Sequence, residues 1–201
     1  MNIREKIKQY VDTYVIGEEQ YKKKLIEDIN NQEEVLIIDI KNSYKGKYEV
    51  YDNNRKLKYT VKGKTISSKP CLHIYNTWQR QVATIQQNKR SFRLYEVHDL
   101  IFNIENKKMS VFKNKSTLLK NRYNLDNGWN IERKVLKQKY EIKNLDKIIA
   151  KISPCGLEEI IIFNKNENEL LILMVVLAIS MYDIINERYC QKEARKGGGG
   201  W

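Results

Sequence analysis

The sequence predicts a β-rich domain built from repeated antiparallel hairpins and closed by one buried helix near the C-terminus. Short runs of alternating apolar and polar residues recur at nearly regular spacing from Val35 to Phe163, with turn-forming residues between them. That pattern belongs to a sandwich or barrel assembled from repeated units. After it comes Glu169 to Glu187, ELLILMVVLAISMYDIINE, in which no polar residue interrupts Leu170 to Ile179. A helix apolar on every side is suited to burial in protein or lipid and not to water. Its apolar run is about 13 residues where a bilayer span needs about 20, so a core helix is expected.

A chain of 201 residues suits one large domain or one domain with an extension, and 41% hydrophobic residues can supply a core. The net charge of +12 and the pI of about 9.4 suit an anionic partner: phospholipid headgroups, nucleic acid or an acidic protein. Spread evenly, the same charge would only solubilise the surface. Cys71, Cys155 and Cys190 are odd in number and far apart, which argues against a disulfide framework and for a reducing compartment. Met1 leads into charged NIREKIKQY without an apolar stretch and cleavage site. A cytoplasmic protein, peripheral to a membrane where it meets one, is therefore expected.

Residues 1–33 read as an N-terminal helical extension. Ile3, Ile7, Tyr10, Val11 and Tyr14 fall on one face, Gly17 breaks the pattern, and Tyr21, Leu25 and Ile29 form a second stripe beside Lys22, Lys23 and Lys24. Such a pair packs on the main domain, docks a protein partner or lies on an anionic membrane. At Val35 the period changes to that of strands. VLIIDI is followed by the polar turn NSYKGK and then by KYEVYDNNRKLKYTV, a hairpin around DNNRK. Its outgoing strand alternates Leu57, Tyr59 and Val61 with Lys58, Thr60 and Lys62, giving one apolar and one basic face.

CLHIYNTWQRQVATIQ repeats that hairpin, and YEVHD, at Tyr95 to Asp99, is expected to open a further strand before LIFNIENKKMSVFKNK. Asp126, Asn127 and Gly128 form a turn before a strand resumes at Trp129. YEIKNLDKIIAKIS is another hairpin, and LEEIIIFNK, after Pro154 and Gly156, is the last strand. Residues 34–190 thus form the body. QKEARKGGGGW, residues 191–201, reads as a flexible tail whose glycines and final tryptophan look like an appended segment.

The openings YEVYD, LHIYN, YEVHD and YEIKN, the paired phrases YTVKGK, ATIQQNK and IAKIS, and the apolar helix that closes them resemble the LURP-one-related family. That family falls within a tubby-like group that includes the phospholipid scramblases. The resemblance covers about Val35 to Tyr189. It implies a closed antiparallel barrel of about twelve strands threaded by the helix, without exposed sheet edges. In tubby-like relatives the corresponding barrel surface binds phosphoinositides. No matching ligand motif is legible here, so no binding residue is carried over.

Little in the sequence points to an enzyme. The histidines, His73 and His98, both sit in strand openings, and Cys71-x-His73 could supply two metal ligands without the second pair that a zinc site needs. There is no glycine-rich phosphate loop or GxSxG elbow, and no metal or cofactor is expected. Glu33–Glu34 and Glu158–Glu159 are adjacent pairs that a strand sends to opposite faces, and they read as solvated charge. Asp183 is expected at the barrel mouth, meeting water or a lysine.

The candidates for an anionic ligand are basic. Lys56, Lys58, Lys62 and Lys64 share one strand face, Lys89, Arg90 and Arg93 follow the second hairpin, and Lys107, Lys108, Lys113 and Lys115 surround the third. Gathered on one side of a barrel they would bind headgroup phosphates, and a non-enzymatic binding module at a membrane surface is the expected function. Trp78 and Trp129 beside those residues would favour nucleic acid instead. An uncovered apolar patch on the N-terminal helices would favour a protein-interaction scaffold.

Overall fold

The computed structural model describes residues 32–88, 99–105, 107–114, 120–134 and 139–197, together with Gly17, Gln20, Lys22 and Lys23. Most of the expected N-terminal extension lies outside these residues, as do Tyr95 to His98, Lys89, Arg90, Arg93 and Lys115. For Lys113 only the backbone is described.

Alternation dictates the architecture. The strands are β1 (Glu33–Asp39), β2 (Lys47–Tyr51), β3 (Leu57–Lys64), β4 (Cys71–Asn76), β5 (Gln81–Gln87) and β6 (Leu100–Ile104). They continue with β7 (Lys107–Asn114), β8 (Lys120–Leu125), β9 (Trp129–Lys134), β10 (Tyr140–Asn144), β11 (Lys147–Cys155) and β12 (Glu158–Asn164). Each pairs antiparallel with its sequence neighbours, and β1 pairs with both β2 and β12, closing a barrel of twelve strands. Alternate residues point inward: Leu36 and Ile38, Tyr48 and Val50, Leu72 and Ile74, Ala83 and Ile85, Tyr123 and Leu125, Ile161 and Phe163. The interior they line is filled by α1 (Glu169–Gly197). Ile172 through Ala178 have no exposure at all. By length and composition Glu169–Glu187 could cross a membrane, yet here it is the core of the barrel.

The helix enters at one rim and leaves at the other. At the leading rim Asn168 caps it, its Oδ1 accepting from the Leu171 N–H at 2.9 Å. Glu169 in the first turn receives Lys58 Nζ at 2.5 Å and the Tyr59 hydroxyl at 2.9 Å. Near the trailing rim Asp183 pairs with Arg133 of β9, an arginine where water or lysine was expected. Between the two, Tyr182 meets Phe112 and Tyr123 at ring-centroid separations of 6.0 and 5.8 Å, and Phe102 stacks on Phe112 at 5.5 Å. Aromatics of β6, β7 and β8 thus grip one side of the helix. Past Ile185 the side chains of Asn186, Glu187 and Gln191 become exposed, and the helix continues to Gly197. QKEARK is composed of strong helix formers, which carry the helix seven residues into the stretch expected to be a flexible tail.

The repeated strand phrases have a physical origin. Asp52, which ends YEVYD, accepts the Asn54 and Lys56 N–H groups at its Oδ1, both at 2.9 Å. Asn76, which ends LHIYN, does the same for Trp78 and Arg80 at 3.1 and 3.0 Å. These Asx turns, with Arg55 and Gln79 at positive φ, reverse the chain at the leading rim. The expected strand opening YEVHD falls, but for Asp99, outside the described residues, and β6 is described from Leu100. On the outer wall Val35, Ile37, Cys155 and Ile160 form a second, small apolar cluster. Beside it, Glu158 receives Lys22 and Arg55, the latter at 2.5 Å.

Candidate functional site

Two Lys-Gly-Lys tripeptides meet on the barrel wall toward the trailing rim. Lys45, Gly46 and Lys47 end a short 3-10 turn and begin β2; Lys62, Gly63 and Lys64 end β3. Gly46 sits at φ 67°, and a Cβ placed on it would come within 2.4 Å of the Gly63 carbonyl oxygen. A Cβ on Gly63 would lie 2.0 Å from the Cys71 carbonyl oxygen. The missing side chains therefore let three backbones approach closely. Lys47 then lies directly opposite Lys62 in the β2–β3 register. Like charges directly opposed across strands are unfavourable.

Lys45, Lys47, Lys62 and Lys64 are all exposed, and none forms an ion pair among the described residues. Lys62 lies 5.8 Å from the centre of the Tyr75 ring and Lys45 lies 5.3 Å from that of the exposed Tyr44, contacts that orient each ammonium without neutralising it. Behind them a shallow depression of ≈ 370 Å³ includes Asp39, Glu49, Lys47 and Lys62, so the excess positive charge lies toward the rim.

The other candidates fall elsewhere. Lys56 stands in the leading-rim turn outside β3, and Lys58 is held by Glu169 and borders a depression that also contains Glu33, Glu34 and Asp52. Lys107 begins β7 at the leading rim, and Lys108 stands opposite Asn103 of β6, four strands from Lys62, or about 19 Å around the wall. Trp129 is buried in the core, whereas Trp78 is 85% exposed at the leading-rim turn, away from the paired tripeptides. Of the four lysines in the paired tripeptides, the sequence reading named Lys62 and Lys64 as candidates and not Lys45 and Lys47. The signal was the repeated KGK, read as turn material in its first copy.

Cys71 and His73 do approach each other, at 3.5 Å, and His73 Nδ1 lies 2.9 Å from Gln81 Oε1. Burial pushes the Cys71 thiol up, away from reactivity. Among the described residues no three His, Cys, Asp or Glu side chains gather as a metal set.

Inside the trailing rim the pair Glu158–Glu159 is not uniformly solvated. Glu158 faces outward, and although burial opposes it, Arg55 and Lys22 hold its carboxyl below the usual range. Glu159 faces inward with Oε2 buried and without a hydrogen-bond partner. Burial, and then the charge of Asp183, push its pKa up to about 7 against the opposing effect of Arg133. The Tyr48 and Tyr140 hydroxyls are also buried there outside hydrogen-bonding geometry. Burial raises the Tyr48 pKa to about 12 against the opposing effect of the nearby Ser180 hydroxyl, with a smaller upward contribution from Glu159.

The model of the LURP-one-related family matches residues 34–179, nearly the whole barrel and the first part of α1, from Glu169 to Ile179. The chain belongs to the LURP-one-related family. A crystal structure of a protein from Arabidopsis thaliana is also similar, at 16% identity and a TM-score of 0.39, covering 80% of this chain and 96% of that one. Among curated proteins no match was found. Family membership accounts for the barrel and its helix, and the paired tripeptides lie within the matched span.

Proposed function

We propose that this LURP-one-related protein is a non-enzymatic binding module for anionic ligands, phospholipid headgroups at a membrane surface first. The observation that carries the reading is the Gly46–Gly63 contact, which brings Lys45 and Lys47 against Lys62 and Lys64 with no ion pair to any of them among the described residues. Exposed, unpaired ammonium groups attract anionic surfaces, with roughly 1 kcal/mol for each basic residue close to the lipid. Holding like charges together opposes folding, and local conflicts of that kind concentrate at functional sites. Membership of a family with a tubby-like barrel is consistent with a binding role. Nucleic-acid binding is less well supported, because Trp129 is in the core and Trp78 is at the leading rim.

Co-sedimentation with vesicles tests the reading. Phosphatidylserine vesicles should recover the protein at low salt and release it near 1 M salt, where the screening length falls to about 3 Å. Lys47→Gln with Lys62→Gln should sharply reduce recovery while leaving the melting temperature unchanged or raised, because the opposed like charges are removed. Equal recovery on neutral phosphatidylcholine vesicles would sink the proposal.

A further inference from the structure

The outer wall carries an apolar patch at the seam where the barrel closes. Val35 and Ile37 of β1, Ile160 and Ile162 of β12, Tyr51 of β2 and Cys155 of β11 alternate with the inward-facing residues and so point away from α1. Yet Ile160 is 0% exposed, Ile37 1% and Val35 6%. Outward positions on the neighbouring strands, such as Glu49 and Lys62, are exposed. The outer face of an antiparallel sheet meets water unless something lies across it. The patch is therefore covered, and α1, packed on the opposite face of the sheet, is not its cover.

Lys22 points to what is. Its ammonium pairs with Glu158 beside the patch, and its side chain is only 15% exposed. Gly17, Gln20, Lys22 and Lys23 are helical, and of these four only Lys22 is shielded from solvent. A helix turns about 100° per residue, which places Leu25, Ile26 and Ile29 within about 60° of Lys22, and Gly17 and Gln20 about 140° or more away. A Cβ on Gly17 would meet nothing within 4 Å, in keeping with the far side. The span fits as well. The Lys165 N–H donates to the Gln32 carbonyl at 2.9 Å, which anchors the chain at the leading rim, where Glu33 opposes Asn164. Glu158 and Asn164 are the two ends of β12, about 20 Å apart along the wall. From Gln32 back to Lys22 a helix covers about 15 Å, and the lysine side chain supplies the remainder.

We infer that residues 22–31 lie as a helix along the outer wall, antiparallel to β1, with Leu25, Ile26 and Ile29 on the apolar patch and Lys22 fastened to Glu158. The occupant is a segment of this chain, selected by its reach from Gln32, by the opposite charges of Lys22 and Glu158, and by the phase that Lys22 shares with the apolar residues. It forms a strap across β1 and β12. Because Glu158 also receives Arg55, one carboxylate ties together the strap, β12 and the turn between β2 and β3. Lifting the strap uncovers Cys155 and leaves an apolar surface on which a second copy can settle.

The test uses the full chain and the Cys155 thiol, which lies under the strap. Ile26→Asp with Ile29→Asp should speed its alkylation by N-ethylmaleimide at least about tenfold, read by peptide mass spectrometry, because the cover then opens locally. Gln20→Glu, on the far side of the helix, should leave that rate unchanged. Cross-linking decides the matter independently should the first variant fold poorly. Ile26→Cys should be joined to Cys155 within one chain by bismaleimidoethane, and Gln20→Cys should not. Unchanged alkylation in the Ile26→Asp, Ile29→Asp protein overturns the inference, as does the absence of a cross-link to Cys155 from Ile26→Cys. A cross-linked dimer from Ile26→Cys assigns the cover to a second copy and overturns it too.

Discussion

Glu159 carries its charge into the barrel beside Asp183 of the helix and Arg133 of β9, with the phenols of Tyr48 on β2 and Tyr140 on β10 also close enough to interact electrostatically. Its pKa is raised from 4.5 to about 7, so the folded protein holds the proton more tightly than the unfolded chain does. Stability from this residue is present below pH about 4.5 and is lost as pH rises through about 7, the reverse of a salt-bridged carboxylate. Asp183, raised by its burial against the pull of Arg133, adds to the same trend, while Glu158, held low by Arg55 and Lys22, opposes it at the acid end. Glu159→Gln should raise the unfolding free energy at pH 8 by about 1 to 3 kcal/mol and flatten its dependence between pH 5 and 7, as followed by urea denaturation. Gly63 offers a second test. Gly63→Ala places a Cβ against the backbone of β4 and should cost about 3 kcal/mol or more, with a matching drop in melting temperature. Neither role was legible in sequence. Adjacent glutamates on a strand must diverge, but which of them turns inward depends on register, and the approach of the two KGK phrases depends on the pairing of β2 with β3.

At the scale of elements, the helix and the hairpins were legible because their signals are local. An uninterrupted apolar run has one consistent placement, and Asp52 after β2 and Asn76 at the end of β4 supply their own turns. QKEARK, which the sequence reading placed in the tail, is rich in strong helix formers and continues α1 to Gly197. The helix is fastened by packing along one flank and by charge at its ends. Tyr182→Ala should cost about 3 to 5 kcal/mol by removing the ring that touches Phe112 and Tyr123. Asn186→Ala, exposed just beyond the rim, should change stability by less than about 0.5 kcal/mol in the same denaturation series.

For the whole molecule, the strand pattern alone was compatible with a sandwich or a barrel, and the family resemblance pointed to the barrel. Closure is a property of two strands far apart in the chain. β1 must find β12, with Glu33 opposite Asn164 and Asp39 opposite Glu158, and no local pattern announces that partnership. The helix is equally global, because strands throughout the barrel contribute to the core around it. A chain truncated before Glu169 should therefore show no cooperative thermal transition by calorimetry; a sharp melt in that fragment would contradict the plug role. The order of elements also bears on how the protein is made. During synthesis β1 and the hairpins leave the ribosome long before β12, and the residues that fill the barrel emerge after every strand. Until then the sheet has open edges and an unfilled apolar face, the conditions under which nascent chains aggregate or engage chaperones. Closure of the barrel consequently waits until β12 and the helix that fills it have both emerged.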